Sequence, residues 1–451
     1  MTVRRRIGTV LLLAVLAAGR PALAGNGDRA FVLDNGLRVF LHEKRGLPLL
    51  HVVTAFNVGA KDESEATSGL VHLLEHCLLF RGSPGRPGAE VAAGLRRHGA
   101  YFNAHTGPDL SVFEISLPAE HAAFALRNQR DVLFGLELDQ AALDEEKEVI
   151  LEEITRMEDD PERAAADLVL RELFAGHPYG RSAYGRREVV RTATAETVLG
   201  FYNRYYAADN CALAVVGDFE AAAMERSVRE IFGPLPSTGF RAESLPAAAG
   251  LKKSVTRRIE RDVEDGYLYL AFAAPDYNHP DQYAVALLVE ILGRGINPLL
   301  PGFLRRERES VQTVGMAYLA NRLGGAVVVS IKASPKDLPY LERAAVSSLR
   351  QARNESYSKK DFQGDQALLA YDHLESAKLQ IGLAAARAED LGLQLAGAMV
   401  RHMLLNARED PPSYIEEIGR VDSGDLRQAA AKYFSRGEFA VVSVVPARGS
   451  K

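Results

Sequence analysis

Hydrophobic positions along the chain form short apolar runs separated by longer helical patterns, and this order occurs twice. In the first half, runs rich in β-branched residues predict strands, and an Asn35-Gly36 turn joins the first two of them. A helix near 89–97, three or four helices over 119–206 and a last helix that ends at Ile231 complete this half. The predicted strands lie within 30–45, 49–58, 100–105, 110–117 and 212–216.

The second half repeats this order of strands and helices. Its strands are predicted near 255–259, 267–273, 313–320, 326–333 and 439–445, with helices at 281–292, 336–353 and about 359–434. A connector containing Pro, Ser and Gly, about 233–250, separates the two halves. We therefore predict an α+β protein with two structurally similar halves, each a mostly antiparallel sheet packed with helices. The predicted domains are 25–240 and 251–451.

The composition is that of a large globular protein. The 451 residues are 47% hydrophobic and 25% charged, and a formal net charge of −5 is too small to indicate binding to nucleic acid or to an anionic membrane surface. After the N-terminus, no apolar stretch reaches the ~20 residues that a transmembrane helix needs. The two cysteines, Cys77 and Cys211, lie in apolar segments, and buried free thiols are expected rather than a disulfide.

The N-terminus has the three parts of a signal peptide. Arginines at 4–6 precede an apolar run over 7–18, and a small-x-small site ends at Ala24. We expect residues 1–24 to be removed, so that the mature chain begins near Gly25 and is periplasmic or secreted.

One predicted helix holds a polar triplet among apolar residues. The segment GLVHLLEHCLLF contains His72, Glu75 and His76, and positions three and four apart share a helix face. Two histidines at this spacing can bind one zinc ion, and the carboxylate can then act on water. The alternative, two hydrogen-bonded core histidines beside a surface glutamate, explains less well why acid and ligands occur together in apolar surroundings.

Such a zinc site needs a third protein ligand, and we expect it in the acidic stretch 143–161. On a helical projection, Glu146 and Glu153 lie at the margin of the apolar stripe and, seven residues apart, share a face. One of them can reach the metal while the other holds a ligand histidine from behind. An ordinary acidic helix explains this pair poorly, but it accounts for the carboxylates that point to solvent, Glu145, Glu148 and Glu152.

Together with several other stretches, these residues resemble the pitrilysin-like and mitochondrial-processing-peptidase-like zinc metallopeptidases, called inverzincins because their motif is inverted. By this resemblance, His72, His76 and Glu153 bind zinc, Glu75 is the general base, and Glu146 supports a ligand from behind. The similarity is clear over the first half and fainter over the second. The other similar stretches are EHCLLFRGS, YFNAHTGPDLSVFEISLP, EKEVILEE, HPYGR and LAVVGDF.

The resemblance also implies a peptide substrate that adds to a sheet edge as an extra strand. In the family, that edge matches the segment with Asn103 and Ala104 here, and Asn103 would lie close to the scissile bond; a plain strand beside a loop is the alternative. Family members that act alone have an Arg and a Tyr seven residues apart in the second half, to hold substrate and stabilise the oxyanion. Here Tyr318 is present, but Val311 occupies the other position.

Either a loop insertion separates the pair, since Arg305, Arg306 and Arg308 lie further back in the chain, or this chain lacks the arginine. We expect a dimer, with a paralogous subunit rather than a second copy of this chain, in which the partner supplies the Arg/Tyr pair. A non-catalytic or co-catalytic subunit of a two-chain peptidase is the alternative, and a zinc hydrolase of a non-peptide substrate is a further one.

Overall fold

The computed structural model of the chain describes residues 28–364, 366, 371–406, 414–435 and 437–447. The predicted signal peptide, residues 1–24, lies outside the described residues. Two large β-sheets, one in each half of the chain, form the framework on which the helices pack.

In the first half, a six-stranded sheet and a two-stranded ribbon are combined with eight helices. In chain order these are β1 Asp28–Val32, β2 Arg38–Glu43, β3 Leu49–Phe56, α1 Leu70–Phe80, β4 Gly82–Ser83, β5 Arg86–Pro87, α2 Gly88–Arg97, β6 Tyr101–Thr106, β7 Ser111–Pro118, α3 Ala122–Phe134, α4 Gln140–Asp159, α5 Pro161–Leu173, α6 Arg187–Thr192, α7 Ala195–Tyr205, β8 Cys211–Gly217 and α8 Ala221–Phe232.

In the second half, a five-stranded sheet is combined with further helices. In chain order these are β9 Val255–Arg261, β10 Gly266–Ala274, α9 Gln282–Val289, α10 Leu299–Glu307, β11 Thr313–Asn321, β12 Gly324–Ala333, α11 Leu338–Gln351, α12 His373–Asp390, α13 Leu393–Leu405, α14 Tyr414–Arg420, α15 Ser423–Ala429 and β13 Phe439–Pro446.

The two large sheets share one topology. The first has the order β1-β2-β8-β3-β7-β6 and the second the order β11-β12-β10-β13-β9. Each contains a single parallel pair, β2 with β8 and β9 with β13, among antiparallel neighbours. Starting from the parallel pair, the order β2-β8-β3-β7-β6 in the first sheet corresponds to β9-β13-β10-β12-β11 in the second, so β6 and β11 are matching edge strands. Strand β1 is an additional edge strand of the first sheet. The predicted α+β fold with two similar halves is confirmed.

Each half also packs one helix on the sheet of the other. Helix α13 lies on one face of the first sheet, where Leu395 and Val400 join a buried cluster with Val53 and Ala214. Helix α5 lies on the second sheet, where Val169 joins a cluster that also contains residues of β10, β12 and β13. Because burial of apolar surface stabilises both contacts, this exchange of helices ties the two halves together.

Two helical regions differ from the sequence prediction. Residues 119–206 contain five helices, α3 to α7, rather than three or four. One added break is at Asp160, whose carboxylate accepts hydrogen bonds from the backbone of Glu162 and Arg163, with Pro161 as the first residue of α5. An aspartate N-cap followed by proline ends one helix and starts the next.

The prediction of long helices over about 359–434 is also wrong, because the described parts of this region form shorter helices. Gly392 separates α12 from α13 with a φ of 52°, and a Cβ there would lie 2.5 Å from the ring of His51. A glycine is therefore needed at this turn.

Two further expectations concern apolar segments. Cys77 and Cys211 are buried free thiols, as predicted. Among the described helices, the stretch Gln282–Glu307 is long and apolar enough to cross a membrane by length and composition, and half of its most apolar window is buried inside the protein. Core helices of soluble proteins meet the same criterion, and bends at 295–297 interrupt this stretch.

Candidate metal centre and active site

Helix α1 places its polar triplet in the interior of the first half. His72, Glu75 and His76 are only 7–8% exposed, and the apolar residues around them, such as Leu73 and Leu74, are fully buried. A helix with apolar residues on all its sides is a core helix, so any polar group on it needs a partner.

The start of α1 is fixed by a buried carboxylate. Both oxygens of Glu63 accept backbone hydrogen bonds at 2.9 Å, one from Gly69 and one from Val71. Burial raises the pKa of Glu63 to about 8. Gly69 has a φ of 105°, and its Cα is in close contact with Gly185, so a side chain at either glycine would force the two segments apart.

Helix α4 brings a third candidate ligand to the two histidines. Oε2 of Glu153 lies 3.4 Å from Nε2 of His72 and 3.6 Å from Nε2 of His76. A tetrahedral zinc ion about 2.1 Å from each ligand atom separates those atoms by about 3.4 Å. Both distances from the Glu153 oxygen therefore fit ligands of one zinc ion, and the donor set of two imidazoles and one carboxylate suits that metal.

The charges at this site favour a cation. Burial alone would lower the pKa of His76, but the carboxylates of Glu146 and Glu153 outweigh burial and raise it to about 9. The neighbouring imidazoles of His72 and His76 hold the pKa of Glu153 far below its usual range. Excess negative charge thus surrounds the histidines.

Glu75 lies beside these ligand atoms but has a partner of its own. The candidate ligand atoms of His72, Glu75 and His76 all lie within 4.8 Å of one another, and the described part of the chain contains no other such group of three. The hydroxyl of Thr106, on β6, donates a hydrogen bond of 2.7 Å to Oε2 of Glu75. Glu75 is thereby oriented toward the strand that we expect to bind substrate.

Glu146 lies behind His76, on the side away from Glu153. Its Oε2 is 3.5 Å from Nδ1 of His76, and its Oε1 forms an ion pair of 2.5 Å with Arg81. Arg81 also pairs with the exposed Glu145 at 2.6 Å. A carboxylate at this position fixes the orientation of a ligand imidazole and its choice of ring nitrogen.

Three contributors to the site were not predicted from the sequence. Thr106 follows Ala104 by two residues, so strand alternation alone could have placed it on the same face. Arg81 directly follows the motif helix, but its partner on α4 is 65 residues away. The ring of Tyr184 packs edge-on against His72 with centroids 5.8 Å apart, and only the tertiary structure reveals this contact.

The predicted substrate-binding residues lie in two different sheets. Asn103 and Ala104 lie on β6, the outermost strand of the first sheet, with Asn103 exposed and Ala104 buried. Tyr318 lies on β11 in the other sheet, where its hydroxyl donates a hydrogen bond of 2.8 Å to the backbone oxygen of Pro275. The hydroxyl of Tyr318 is thus engaged with its own half rather than with the metal-site residues.

The arginines near Tyr318 do not reproduce the family pair. Arg308 stacks on the ring of Tyr340 at 3.7 Å, and Val311 is buried. A different arginine, Arg401 of α13, donates a hydrogen bond to the backbone oxygen of Ala320. The segment before Tyr318 therefore offers no arginine at the expected position.

Comparison with known proteins agrees with this geometry. Residues 41–187 match the family model "Insulinase (Peptidase family M16)", and residues 192–369 match "Peptidase M16 inactive domain". An uncharacterized zinc protease of Mycobacterium tuberculosis is 28% identical over 300 residues, which are 65% of this chain and 66% of that protein, just under two thirds of its length. A probable mitochondrial-processing peptidase subunit beta of Arabidopsis thaliana is 23% identical over 96% of this chain and 81% of its own length.

A solved structure supports the fold. A protease from Helicobacter pylori has a TM-score of 0.81 to this chain, covering 93% of this chain and 99% of its own, at 20% sequence identity. At that identity the likeness is evidence for the fold alone. Since M16 models match both halves and the inverted His-x-x-Glu-His motif lies on a buried helix, the chain belongs to the M16 peptidase family, the pitrilysin-like metallopeptidases.

Proposed function

We propose that the chain is a zinc-dependent endopeptidase that hydrolyses peptides or unfolded polypeptide segments. The supporting observation is the convergence of two imidazole nitrogens and one Glu153 oxygen at the spacing of zinc ligands, with the carboxylate of Glu75 beside them. Membership of a peptidase family and the zinc protease names of its relatives point the same way.

Each polar residue of the site then has a role. His72, His76 and Glu153 would hold one zinc ion, which when bound supplies Lewis acidity toward water and a peptide carbonyl. Glu75 accepts a proton from the attacking water and returns it to the leaving amine. The Thr106 hydroxyl orients Glu75, and Glu146 keeps the ring of His76 in place.

The edge of the first sheet supports an extended peptide as the substrate. Among the described strands, β6 pairs with β7 alone, so an added strand could pair with its other side. Thr106 joins this edge directly to Glu75. A peptide bound there, with Asn103 and Ala104 beside it, would present a carbonyl near the candidate metal site.

We also propose that the active form is a dimer with a paralogous subunit that supplies an Arg/Tyr pair. The support is the engagement of Tyr318 with Pro275 and the lack of an arginine seven residues before it. A co-catalytic or non-catalytic subunit is the second candidate, favoured by the "inactive domain" model that matches 192–369. Affinity purification of the tagged chain from its native source should recover a related chain in a complex of about twice its mass. Recovery of monomer alone would contradict the dimer.

The N-terminal sequence supports export as a further proposal. Residues 1–24 have the basic, apolar and small-residue parts of a signal peptide. N-terminal sequencing of the protein from its native source should begin near Gly25, in the periplasmic or secreted fraction. A chain that keeps its first 24 residues in the cytoplasm would contradict export.

Cleavage assays with Glu75→Gln test the proposed activity. Loss of a general base slows turnover by about 10²–10⁴-fold, while the zinc ligands remain, so zinc content by mass spectrometry should be unchanged. The matched control is Glu290→Gln, a half-buried carboxylate in the second half, which should cleave labelled unfolded peptides at the wild-type rate. Unchanged cleavage by Glu75→Gln would remove Glu75 from the mechanism.

A further inference from the structure

The edge strand β6 presents different side chains on its two faces. Ala104 joins the core beneath the sheet, and Thr106 contacts Glu75 of α1, so these residues face the helices of the first half. Because side chains alternate along a strand, Tyr101, Asn103 and His105 project from the opposite face. Any peptide added to β6 would therefore place every second side chain beside this row.

A carboxylate from the neighbouring strand lies on the same face. Glu114 of β7 pairs directly with Asn103, and the side chains of Phe113 and Ile115, on either side of it, are buried in the core beneath the sheet. The side chain of Glu114 is only 16% exposed. It therefore lies largely within the protein, yet beside an edge that is open to substrate.

The carboxylate of Glu114 has little compensation for its burial. Among the described residues, it accepts no hydrogen bond and has one ion-pair neighbour, Nδ1 of His105, at 4.0 Å. Burial lowers the pKa of His105, which keeps this imidazole neutral near pH 7, and burial raises the pKa of Glu114 itself. A largely buried carboxylate without a cationic partner is unfavourable in the free protein and would gain from a cation that binds beside it.

Two neighbours suit a cationic side chain with a long apolar stem. Burial, and after it the nearby carboxylate of Glu114, raise the pKa of the Tyr101 phenol, so Tyr101 lies close to Glu114. Tyr101 is 52% exposed, so part of its ring is available for contact with an alkyl stem or a cation. Asn103 is exposed and offers amide groups for hydrogen bonds.

We propose that Glu114, with Tyr101 and Asn103, forms a subsite that selects a long basic side chain of the bound peptide. The inference rests on the proposed function, because it requires a peptide that adds to β6. Neighbouring strands are about 4.8 Å apart, so the backbone of an added strand would lie about 10 Å from that of β7. Lysine and arginine are long enough to reach across β6 toward Glu114 over this distance, and among long side chains they alone supply the missing positive charge.

Binding of matched peptides to the full-length protein tests the subsite. The probes are fluorescent decapeptides of Ala and Ser that contain one Arg, Lys, citrulline or Glu, with that residue moved along the sequence. Citrulline has the shape of arginine without its charge. Affinity is measured by anisotropy with the Glu75→Gln variant, so that turnover does not remove the probe.

A charge-assisted contact predicts about tenfold tighter binding of the best Arg or Lys peptide than of the citrulline peptide at the same position. Adding Glu114→Gln should reduce this ratio to about one, whereas adding Glu120→Gln, at a carboxylate that is 77% exposed, should leave it unchanged. Equal binding of Arg and citrulline peptides, or a preference that survives Glu114→Gln, would overturn the subsite, as would failure to bind any of these peptides.

The wild-type protein separates this inference from the proposed activity. A Glu114-dependent preference for basic peptides without cleavage of any of them would support the subsite and contradict the peptidase. Cleavage without such a preference would support the peptidase and overturn the subsite.

Discussion

The two halves share a topology, but the corresponding helices α1 and α9 differ in the polarity of their buried residues. Helix α1 follows β3, and α9 follows the corresponding strand β10. Both helices are buried, yet α9 has the sequence QYAVALLV, whose central positions are apolar, whereas α1 has His72, Glu75 and His76. The fold therefore does not need polar residues at this place.

This difference explains why the polar triplet points to function. Burying polar groups costs roughly 1–3 kcal/mol each unless partners compensate, and α9 fills its place in the fold without that cost. The helix that faces α1 supplies the compensation, since α4 directs Glu146 and Glu153 at the histidines. The exchange of α5 and α13, by contrast, occurs in both halves and belongs to the fold.

Alanine substitutions at one buried position of α1 and one of α9 should have the largest effects on the two helices. His76→Ala should leave the purified protein without zinc and without cleavage, because two ligands remain. Leu288→Ala, at a fully buried position of α9, should lower the free energy of unfolding by about 2–5 kcal/mol but keep zinc. Zinc content and urea unfolding measure the two effects, and full zinc content in His76→Ala would refute the assignment.

Glu153→Gln should weaken zinc binding next most strongly, because it removes the negative ligand but keeps its shape. We expect a loss of zinc affinity and of cleavage beyond the 10–100-fold that is typical of residues behind the ligands. Glu152→Gln is the control, at the preceding position of α4, where the side chain is 70% exposed and pairs with Arg156. Equal zinc affinities of the two variants, measured against a competing chelator, would remove Glu153 from the site.

Glu146→Gln should have a smaller effect, a loss of about 10–100-fold in zinc affinity or cleavage, because it disturbs the orientation of His76 rather than a ligand. Its control is Glu145→Gln, since Glu145 pairs with the same Arg81 but is exposed to solvent. A loss of the same size in the control would attribute the effect to Arg81 and not to Glu146.

The change of zinc affinity over a single pH unit should be the smallest of these effects. In the metal-free protein the pKa of His76 is raised to about 9, so below that pH zinc must displace a proton. Affinity should therefore rise by about tenfold per pH unit between pH 7 and 9 and then level off. Competition with a chelator of known pH dependence measures this rise, and a flat profile between pH 7 and 9 would contradict the raised pKa.

The sequence was sufficient to locate the strands of both large sheets along the chain, because alternation and apolar runs mark strands locally. It also sufficed to select Glu146 and Glu153 among five carboxylates, since helical projection separates the stripe margin from the solvent face. The helix breaks were harder to predict. Gly392 is needed because its φ is 52° and because His51, from the other half, lies against it.

Contacts between distant segments could not be predicted from local sequence patterns, for the same reason. The pairing of Arg81 with Glu146, the exchange of α5 and α13, and the engagement of Tyr318 with Pro275 all depend on how elements meet in space. Periodicity describes which face of an element is apolar, but not which other element covers it.

The proposed zinc site is tested most directly by a crystal structure of the zinc-loaded protein, with anomalous data collected on both sides of the zinc absorption edge. We expect one zinc ion per chain, about 2.0–2.2 Å from Nε2 of His72, Nε2 of His76 and one carboxylate oxygen of Glu153. Zinc bound elsewhere, or coordinated without Glu153, would contradict it.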